Sequence, residues 1–296
     1  MADWEAIAKT IALAATGEAP RGEIQARPLG GGSINHAYAL EIASQSYFVK
    51  LNHADLHEMF VAEAEGLAAL RDCGRMRVPD PIAHGVSGRH AWLALEYIPF
   101  GAGRAGSAFE AGRALARMHL DCRARRFGWH RDNTIGSTHQ PNAWRDDWID
   151  FWRDNRLGFQ LEEAARNGYR GSLQRLGGEL LERFPALIDH NPAPSLLHGD
   201  LWGGNIAYAD DGQAVIFDPA TYYGDAETDL AMTELFGGFG QAFHDGYRSL
   251  LKPAAGSPIR KVLYNLYHIL NHTNLFGGGY AGQAQRMMER LLAELR

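Results

Sequence analysis

The sequence of 296 residues predicts an α+β fold with two lobes, a small β-rich lobe over residues 1–98 and a larger helical lobe over residues 99–296. Three observations support this prediction. Strand-like alternation is concentrated before residue 98, and amphipathic helical patterns dominate after residue 109. The glycine-rich segment 99–106 lies between them and has the composition of a hinge.

The individual elements follow from apolar spacing and from residues that begin or end helices. Asp55 can cap a helix that stops at Gly74, and strand-like alternation surrounds a glycine cluster at 30–32. In the first lobe we predict helix 3–16, strands 37–42 and 47–51, helix 55–72, a turn at 78–81 and strand 92–98. In the second lobe we predict helices 109–120, 144–167, 173–187, 230–235 and 260–296, the last broken near residue 278, and short strands 206–208 and 214–217.

Composition excludes several classes of protein. Hydrophobic residues make up 46% and charged residues 22% of the chain, which is typical of a globular protein and not of a disordered or collagen-like one. The net charge of -6 gives no general attraction to nucleic acid or to an anionic membrane, and no apolar run is long enough to span a bilayer. Two cysteines, Cys73 and Cys122, suit a reducing compartment, and no basic leader precedes the first helix. We therefore expect a cytoplasmic protein that binds neither nucleic acid nor membrane, and a monomer is the default expectation; a small-molecule substrate is implied only by the resemblance described below.

The segment 196–219 carries the strongest indication of chemistry. Asn205 follows Asp200 by five residues, and Asp218 comes thirteen residues later, after an apolar strand. Phosphoryl transfer from a magnesium nucleotide requires a carboxylate that accepts the proton of the attacking hydroxyl, and oxygen ligands for Mg²⁺. Asp200 fits the first role, and Asn205 and Asp218 fit the second. Each of them alone could instead be a turn, cap or strand-ending residue.

Two charged residues of the first lobe interrupt apolar patterns. Lys50 lies inside the strand YFVKL, and Glu63 lies on the apolar face of the next helix. A charge in an apolar stripe requires a partner, and pairing the two would explain both. Lys50 would then contact the phosphates of ATP; the alternative is an edge-strand lysine that prevents aggregation. Upstream, the backbone at Gly31, Gly32 and Ser33 could approach phosphates closely, although a tight hairpin would explain the same glycines.

The order of these residues resembles the protein-kinase-like superfamily, in its small-molecule branch with the aminoglycoside phosphotransferases. Within that branch the chain is most similar to the fructosamine kinases, or ketosamine-3-kinases. The stretches that carry the resemblance are GGSINHAY at 31–38, NTIGSTHQPNAW at 133–144, HGDLWGGN at 198–205, DPATYYGDAETDLAMTELFGGF at 218–239 and LNHTNLFGGGY at 270–280. The resemblance implies a two-lobed protein-kinase-like fold that binds ATP and Mg²⁺ in the cleft between its lobes.

The resemblance also implies a reaction and further site residues. The reaction is ATP-dependent phosphorylation of the sugar 3-hydroxyl of a ketosamine, a fructosamine or ribulosamine adduct, as a step of deglycation. The backbone of a hinge strand would bind adenine, and this strand corresponds to Leu95, Glu96 and Tyr97. Asp200 would accept the proton, while Lys50 and Glu63 would position the phosphates.

Four other residues have roles only through the resemblance. His198 and Asp229 would brace the catalytic loop. Trp202 and Phe236 either line the sugar site or belong to the ordinary hydrophobic core.

Three alternative functions remain open from the residues alone. Choline, homoserine or an aminoglycoside could replace the ketosamine as acceptor. A metal-dependent hydrolase could use His198 with Asp200, or the histidine pairs at 53/57 and 268/272, although none of these forms HExxH. A non-catalytic nucleotide-binding protein would be expected to lack at least one of the central charged or amide residues, and all of them are present.

Overall fold

The structure is a computed structural model that describes residues 2–30 and 34–295. Contacts within the chain group it into two compact units. The first contains Met1–Arg104 and Ala207–Asp218, and the second contains Ala105–Ile206 and Pro219–Arg296. The first unit thus includes a segment, 207–218, that the predicted division at residue 98 assigns to the other lobe.

The described residues form the following strands and helices, given in chain order. The strands are β1 (Ile24–Leu29), β2 (His36–Ile42), β3 (Gln45–His53), β4 (Pro81–Ser87), β5 (His90–Glu96), β6 (Phe100–Gly101), β7 (Asn133–Ile135), β8 (Thr138–Gln140), β9 (Ser195–Leu197), β10 (Ile206–Ala209), β11 (Ala214–Ile216) and β12 (Tyr222–Gly224). The helices are α1 (Trp4–Thr16), α2 (His57–Cys73), α3 (Ser107–Asp121), α4 (Trp148–Trp152), α5 (Phe159–Arg166), α6 (Ser172–Arg183), α7 (Glu227–Leu235), α8 (Gln241–Arg248), α9 (Ser257–Phe276) and α10 (Tyr280–Ala293).

The first unit is built on an antiparallel sheet with strand order β1-β2-β3-β5-β4. The helix α1 begins at Asp3, whose carboxylate accepts a hydrogen bond from the Ala6 N–H, and buries Ile7 and Ile11 against the sheet. The helix α2 packs on β4 and β5 and ends at Gly74, which has a positive φ of 67°. Because two helices pack on the sheet, residues 91–95 of β5 are all buried.

The second unit is mainly helical. Glycines allow α3 and α8 to approach each other closely, since a Cβ at Gly112 would lie 1.9 Å from the Phe243 carbonyl oxygen and one at Gly246 would lie 1.9 Å from the Phe109 carbonyl oxygen. The long helix α9 is buried along most of its length and packs on α5, α7 and α10. Short antiparallel pairs, β7 with β8 and β9 with β12, position the loops of this unit.

Most of the predicted elements are confirmed, and the errors have local causes. Asp55 does not cap α2, because it lies in a 3-10 turn, Ala54–Leu56, that precedes the helix. The predicted turn at 78–81 already contains the first residue of β4, a strand whose glycine and polar residues weaken its alternation. The helix predicted from residue 144 begins at Trp148, after the capping residue Asp147, and includes a π-helical segment, Arg153–Gly158. No helix in the described part of the chain is both long and apolar enough to cross a membrane.

Candidate active site

The first unit places a buried lysine between two carboxylates. Lys50 is 4% exposed and lies on β3, which has β2 and β5 on its two sides. Its Nζ donates to Glu63 Oε1 at 2.5 Å and to Asp218 Oδ1 at 2.6 Å. The predicted pair of Lys50 and Glu63 is therefore present, and the edge-strand interpretation of Lys50 is wrong because β3 is an inner strand.

The charges of this cluster do not balance. Burial alone would lower the pKa of Lys50, but the negative charges of Asp218 and Glu63 raise that pKa above its ordinary value, so the ammonium stays protonated. Burial and the charge of Asp218 raise the pKa of Glu63, against the opposing effect of Lys50. Two carboxylates around one ammonium leave an excess of negative charge, which a divalent cation beside Asp218 would neutralise.

Asp218 also has an unusual backbone conformation. Its φ is 57°, in the left-handed region, and Pro219 follows it. A residue before proline normally adopts an extended conformation, and a non-glycine residue in the left-handed region costs about 1–3 kcal/mol, so such strain is found most often at functional sites. The side chain is 48% exposed, so the carboxylate is bound by Lys50 on one side and accessible to solvent on the other.

The segment predicted to bind adenine lies at the end of β5. Leu95 is buried, and the Glu96 N–H donates to the Asp80 carbonyl oxygen at 2.8 Å. The Glu96 carboxylate accepts a hydrogen bond from Arg77 Nη2 at 2.8 Å. These bonds hold the backbone in place where the chain leaves the sheet at Tyr97.

An apolar cluster beside this segment was missed from the sequence. Ile98, Ala209 and Val215 are buried together, and Phe217 packs on them. Phe100 stacks on Phe217 with ring centroids 5.6 Å apart and an interplanar angle of 20°, yet 53% of Phe100 is exposed. The signal in the sequence is the aromatic residue directly before Asp218, which the apolar pattern assigns only to a strand.

The glycine-rich loop is described only in part. Gly31, Gly32 and Ser33 lie outside the described residues, so their contact with phosphates stays a prediction. The chain that follows them is tied to β3, because Asn52 Nδ2 donates to the Ile34 carbonyl oxygen at 3.1 Å and to Asn35 Oδ1 at 2.7 Å.

In the second unit, Asp200 and Asn205 interact within one loop. Asn205 is 6% exposed, and its Nδ2 donates to the Asp200 carbonyl oxygen at 2.9 Å and to Asp200 Oδ2 at 3.2 Å. The Asn205 N–H donates to the Trp202 carbonyl oxygen at 2.9 Å, which closes the loop. The amide nitrogen thus orients the Asp200 carboxylate, and Oδ1 is the atom of Asn205 that could bind Mg²⁺.

A buried aspartate braces this loop. Asp229 accepts hydrogen bonds from the N–H groups of His198 and Gly199 at 2.7 and 2.8 Å, and its Oδ2 lies 3.3 Å from His119 Nε2. Burial would raise the pKa of Asp229, but the hydrogen bond and charge of His119, followed by His198 and the Gly199 N–H, lower it. His198 Nδ1 accepts the Asp200 N–H at 3.2 Å. The contacts of His198 and Asp229 are those of bracing residues.

A buried polar network missed from the sequence holds the chain after Pro219. Asn133 Nδ2 donates to the Thr221 carbonyl oxygen at 2.8 Å, and Gln140 Nε2 donates to Asn133 Oδ1 at 2.7 Å and to the Ala220 carbonyl oxygen at 3.2 Å. Each of these side chains is at most 8% exposed. The 133–144 stretch therefore has a structural role that its polar composition hid, because polar residues normally predict exposed loops.

Trp202 and Phe236 do not belong to the hydrophobic core. Trp202 is 40% exposed and Phe236 is 39% exposed, so the core interpretation is wrong for both. A role in the sugar site stays a prediction.

The histidines of the hydrolase interpretation do not join a group of three possible metal ligands among the described residues. His198 is fully buried and bonded within the loop that contains Asp200. Among the described residues, the side chains close enough to hold a metal as a group of three are His190, Asp225 and Glu227. This group contains none of the histidines that the interpretation used, and Arg260 already donates to Glu227 at 2.8 and 2.9 Å.

Comparison with solved structures defines the class of protein. The chain superimposes on an aminoglycoside phosphotransferase with a TM-score of 0.60 at 13% identity, over 92% of this chain and 94% of that one. It superimposes on a protein from Haemophilus somnus, assigned as a fructosamine-3-kinase, with a TM-score of 0.87 at 29% identity, over 97% and 96% of the two chains. The fold is the two-lobed, α+β fold of protein-kinase-like phosphotransferases, as predicted.

Comparison of sequences defines the particular family. The profile of the fructosamine kinase family matches residues 3–294. A protein of Synechocystis named as a probable ketoamine kinase is 49% identical over 98% of this chain and 97% of its own length. The chloroplastic protein-ribulosamine 3-kinase of Arabidopsis thaliana is 42% identical over 90% of this chain and 82% of its own length. The chain belongs to the fructosamine kinase family and is an ATP-dependent phosphotransferase.

Proposed function

We propose that this protein transfers the γ-phosphoryl group of ATP to the 3-hydroxyl of a ketosamine, as a step of deglycation. The observation that carries the proposal is the bonding of Lys50 to both Glu63 and Asp218 in a chain of this family. The names of the relatives, ketoamine kinase and ribulosamine 3-kinase, support a ketosamine as the acceptor.

The first unit supplies the nucleotide-binding residues of the proposal. Glu63 holds the Lys50 ammonium, which binds the phosphates. The backbone of Leu95, Glu96 and Tyr97 binds adenine, and the Phe100–Phe217 stack offers it an aromatic surface. The backbone at Gly31, Gly32 and Ser33 covers the phosphates.

The transfer step requires one proton acceptor. The oxygen of the 3-hydroxyl forms a bond to the γ-phosphorus, the bond from that phosphorus to the β,γ-bridging oxygen breaks, and ADP leaves. Asp200 accepts the hydroxyl proton, and the bond from Asn205 Nδ2 orients its carboxylate for this role.

The two proposed metal ligands are each of the chemical kind that a magnesium ion prefers. Asn205 Oδ1 and the Asp218 carboxylate are hard oxygen ligands, and the cluster around Lys50 has an excess of negative charge. When bound, Mg²⁺ neutralises negative charge on the phosphates. Chelation should abolish turnover, and added Mg²⁺ should restore it.

A panel of acceptors tests the proposed function. ATP consumption by the purified protein should require a ketosamine, and should be absent with free sugars, choline, homoserine and aminoglycosides. The matched control is Asp200→Asn, which keeps the size of the side chain and should lower turnover by about a hundredfold or more, since acid–base assistance contributes about 10²–10⁴. Turnover with choline or an aminoglycoside and none with ketosamines would refute the substrate class.

The oligomeric state and the cellular location of the protein can each be tested directly. We propose a monomer in the cytoplasm whose partner is the small-molecule substrate. Light scattering after gel filtration measures the mass in solution, and fractionation of cells that express a tagged copy locates the protein.

A further inference from the structure

Exposed aromatic rings extend from the catalytic loop across the second unit. Trp202 and Phe236 have ring centroids 6.4 Å apart in an edge-to-face arrangement, and Phe236 lies 4.8 Å from the His272 ring. His272 in turn lies 5.4 Å from Phe276 and 5.1 Å from Tyr280. Phe276 is 57% exposed, so the row of rings faces solvent.

The backbone fixes the first two rings of this row. A Cβ at Gly204 would lie 2.3 Å from the Trp202 indole, so the indole lies directly on the Gly204 backbone. A Cβ at Gly203 would lie 2.8 Å from the Gly237 carbonyl oxygen, so the loop after Phe236 touches the catalytic loop. Gly203 and Gly204, the last two glycines of HGDLWGGN, are therefore required by the placement of these aromatic residues.

His272 adds a hydrogen-bond acceptor to the row. Its Nδ1 lies 2.8 Å from the His268 carbonyl oxygen, which can only accept, so Nδ1 carries the proton and Nε2 has the lone pair. No side chain within the described residues occupies that Nε2. Burial lowers the pKa of His272, which favours this neutral form.

Aromatic faces next to a neutral imidazole acceptor suit one chemical group, an ammonium that is partly removed from water. A ketosamine contains such a group, because its secondary amine is protonated near neutral pH. The amine is separated from the 3-hydroxyl by three carbon atoms, and Trp202 is two residues from Asp200, the proposed proton acceptor.

We propose that Trp202, Phe236 and His272 bind the protonated secondary amine of the substrate, so that these residues recognise the amine and not the sugar ring. This inference rests on the proposed function. It explains how the protein would distinguish a ketosamine from the free sugar, which has the same hydroxyl groups and no ammonium.

The test compares two substrates that differ in one atom. One is the fructosamine of propylamine, and the other is its ether analogue, with oxygen in place of the amine nitrogen. Wild-type protein should prefer the amine in kcat/KM. Replacement of a π-face by an aliphatic side chain, in Trp202→Leu or Phe236→Leu, should reduce this preference by about 3–30-fold, the range of a cation–π contact, mainly through KM for the amine.

Matched variants separate recognition from folding. Trp202→Phe keeps an aromatic face and should retain most of the preference. His272→Phe keeps a ring but lacks the hydrogen-bond acceptor, so this variant should lose part of the preference for the amine. Leu250→Ala removes a similarly exposed apolar side chain of the same unit, 39% exposed, and should change nothing. If Trp202→Leu fails to fold, Phe236→Leu and His272→Phe decide the question.

The two proposals fail in different ways. Suppose that the wild-type protein phosphorylates the fructosamine, and that Trp202→Leu, Phe236→Leu and His272→Phe fold and keep the full preference for the amine. That result would refute the ammonium site and leave the kinase assignment intact. Absence of wild-type turnover with any ketosamine would refute the proposed function and, with it, the ammonium site.

Discussion

Two buried cations, one in each unit, have opposite surroundings. Lys50 has two carboxylates within 2.6 Å, and one of them, Asp218, is half exposed. Arg156 is fully buried and forms no salt bridge with the described residues. Its guanidinium donates to the Pro141 carbonyl oxygen at 2.7 Å and to Asn142 Oδ1 at 2.8 Å, and it lies 4.0 Å from the Tyr222 ring centroid.

We infer from this difference that Lys50 is a cation for chemistry and that Arg156 is a cation for structure. An ammonium beside an accessible carboxylate can exchange part of its environment for phosphate oxygens and Mg²⁺. A guanidinium enclosed by carbonyl oxygens and aromatic rings has no such exchange, so it stabilises the chain around 141–156. Substitutions in the two regions should therefore affect activity and stability separately.

The largest effect is expected from the exposed partner of Lys50. Asp218→Ala removes a proposed metal ligand, and metal-ion catalysis is worth several kcal/mol, so kcat should fall by about 10³-fold. The melting temperature should change little, because the same substitution removes a carboxylate from a cluster with excess negative charge. Steady-state kinetics and differential scanning calorimetry measure the two quantities. Wild-type kcat would contradict the role of Asp218.

The second test removes the buried cation of the first unit. Lys50→Met combined with Glu63→Gln avoids an unpaired buried carboxylate and should lower kcat by about 10²-fold, the typical loss when one group that stabilises transition-state charge is removed. The single variant Lys50→Met is the control and should be the less stable of the two, because Glu63 then lacks its partner. Equal activity of the double variant and the wild type would return Lys50 to a structural role.

The third test removes the buried cation of the second unit. Arg156→Met keeps the size of the side chain but leaves buried carbonyl oxygens without a donor, so the free energy of unfolding should fall by about 3 kcal/mol. Urea denaturation measures it. Arg153→Met, on the same helical segment but 36% exposed, should cost less than about 1 kcal/mol. An equal loss of unfolding free energy in Arg156→Met and Arg153→Met would contradict the structural role of the buried guanidinium.

The smallest effect concerns pH. Burial, followed by the charge of His272, lowers the pKa of His268 to about 3, whereas an unfolded histidine titrates near 6.5. Between these values only the unfolded chain binds the extra proton, so stability falls as the pH falls, by about 2 kcal/mol from pH 7 to pH 5. His268→Gln should flatten this part of the stability curve, and the exposed His36→Gln should not. If the stability of His268→Gln fell with pH as steeply as that of the wild type, His268 would not be the source of this pH dependence.

The sequence indicated the charged residues of the candidate site more clearly than the residues that support them. Lys50, Glu63 and Asp218 stood out because charged residues interrupted apolar patterns or ended a strand. The Phe100–Phe217 stack and the network of Asn133 and Gln140 did not stand out. Aromatic residues near a hinge and polar residues in a loop each have ordinary local explanations, and only contacts with distant residues reveal another role.

The sequence by itself determined the strands β2, β3, β5, β10 and β11, most of the helices, the order of the charged residues and the family, because periodicity and motif spacing are local properties of the chain. The tertiary structure alone decided that β3 is an inner strand, that Asp218 has a positive φ beside Lys50, and that Trp202 lies exposed on the backbone of Gly204. These features depend on which distant segments meet, and the free energy that brings them together comes from burial of apolar surface across the whole of each unit.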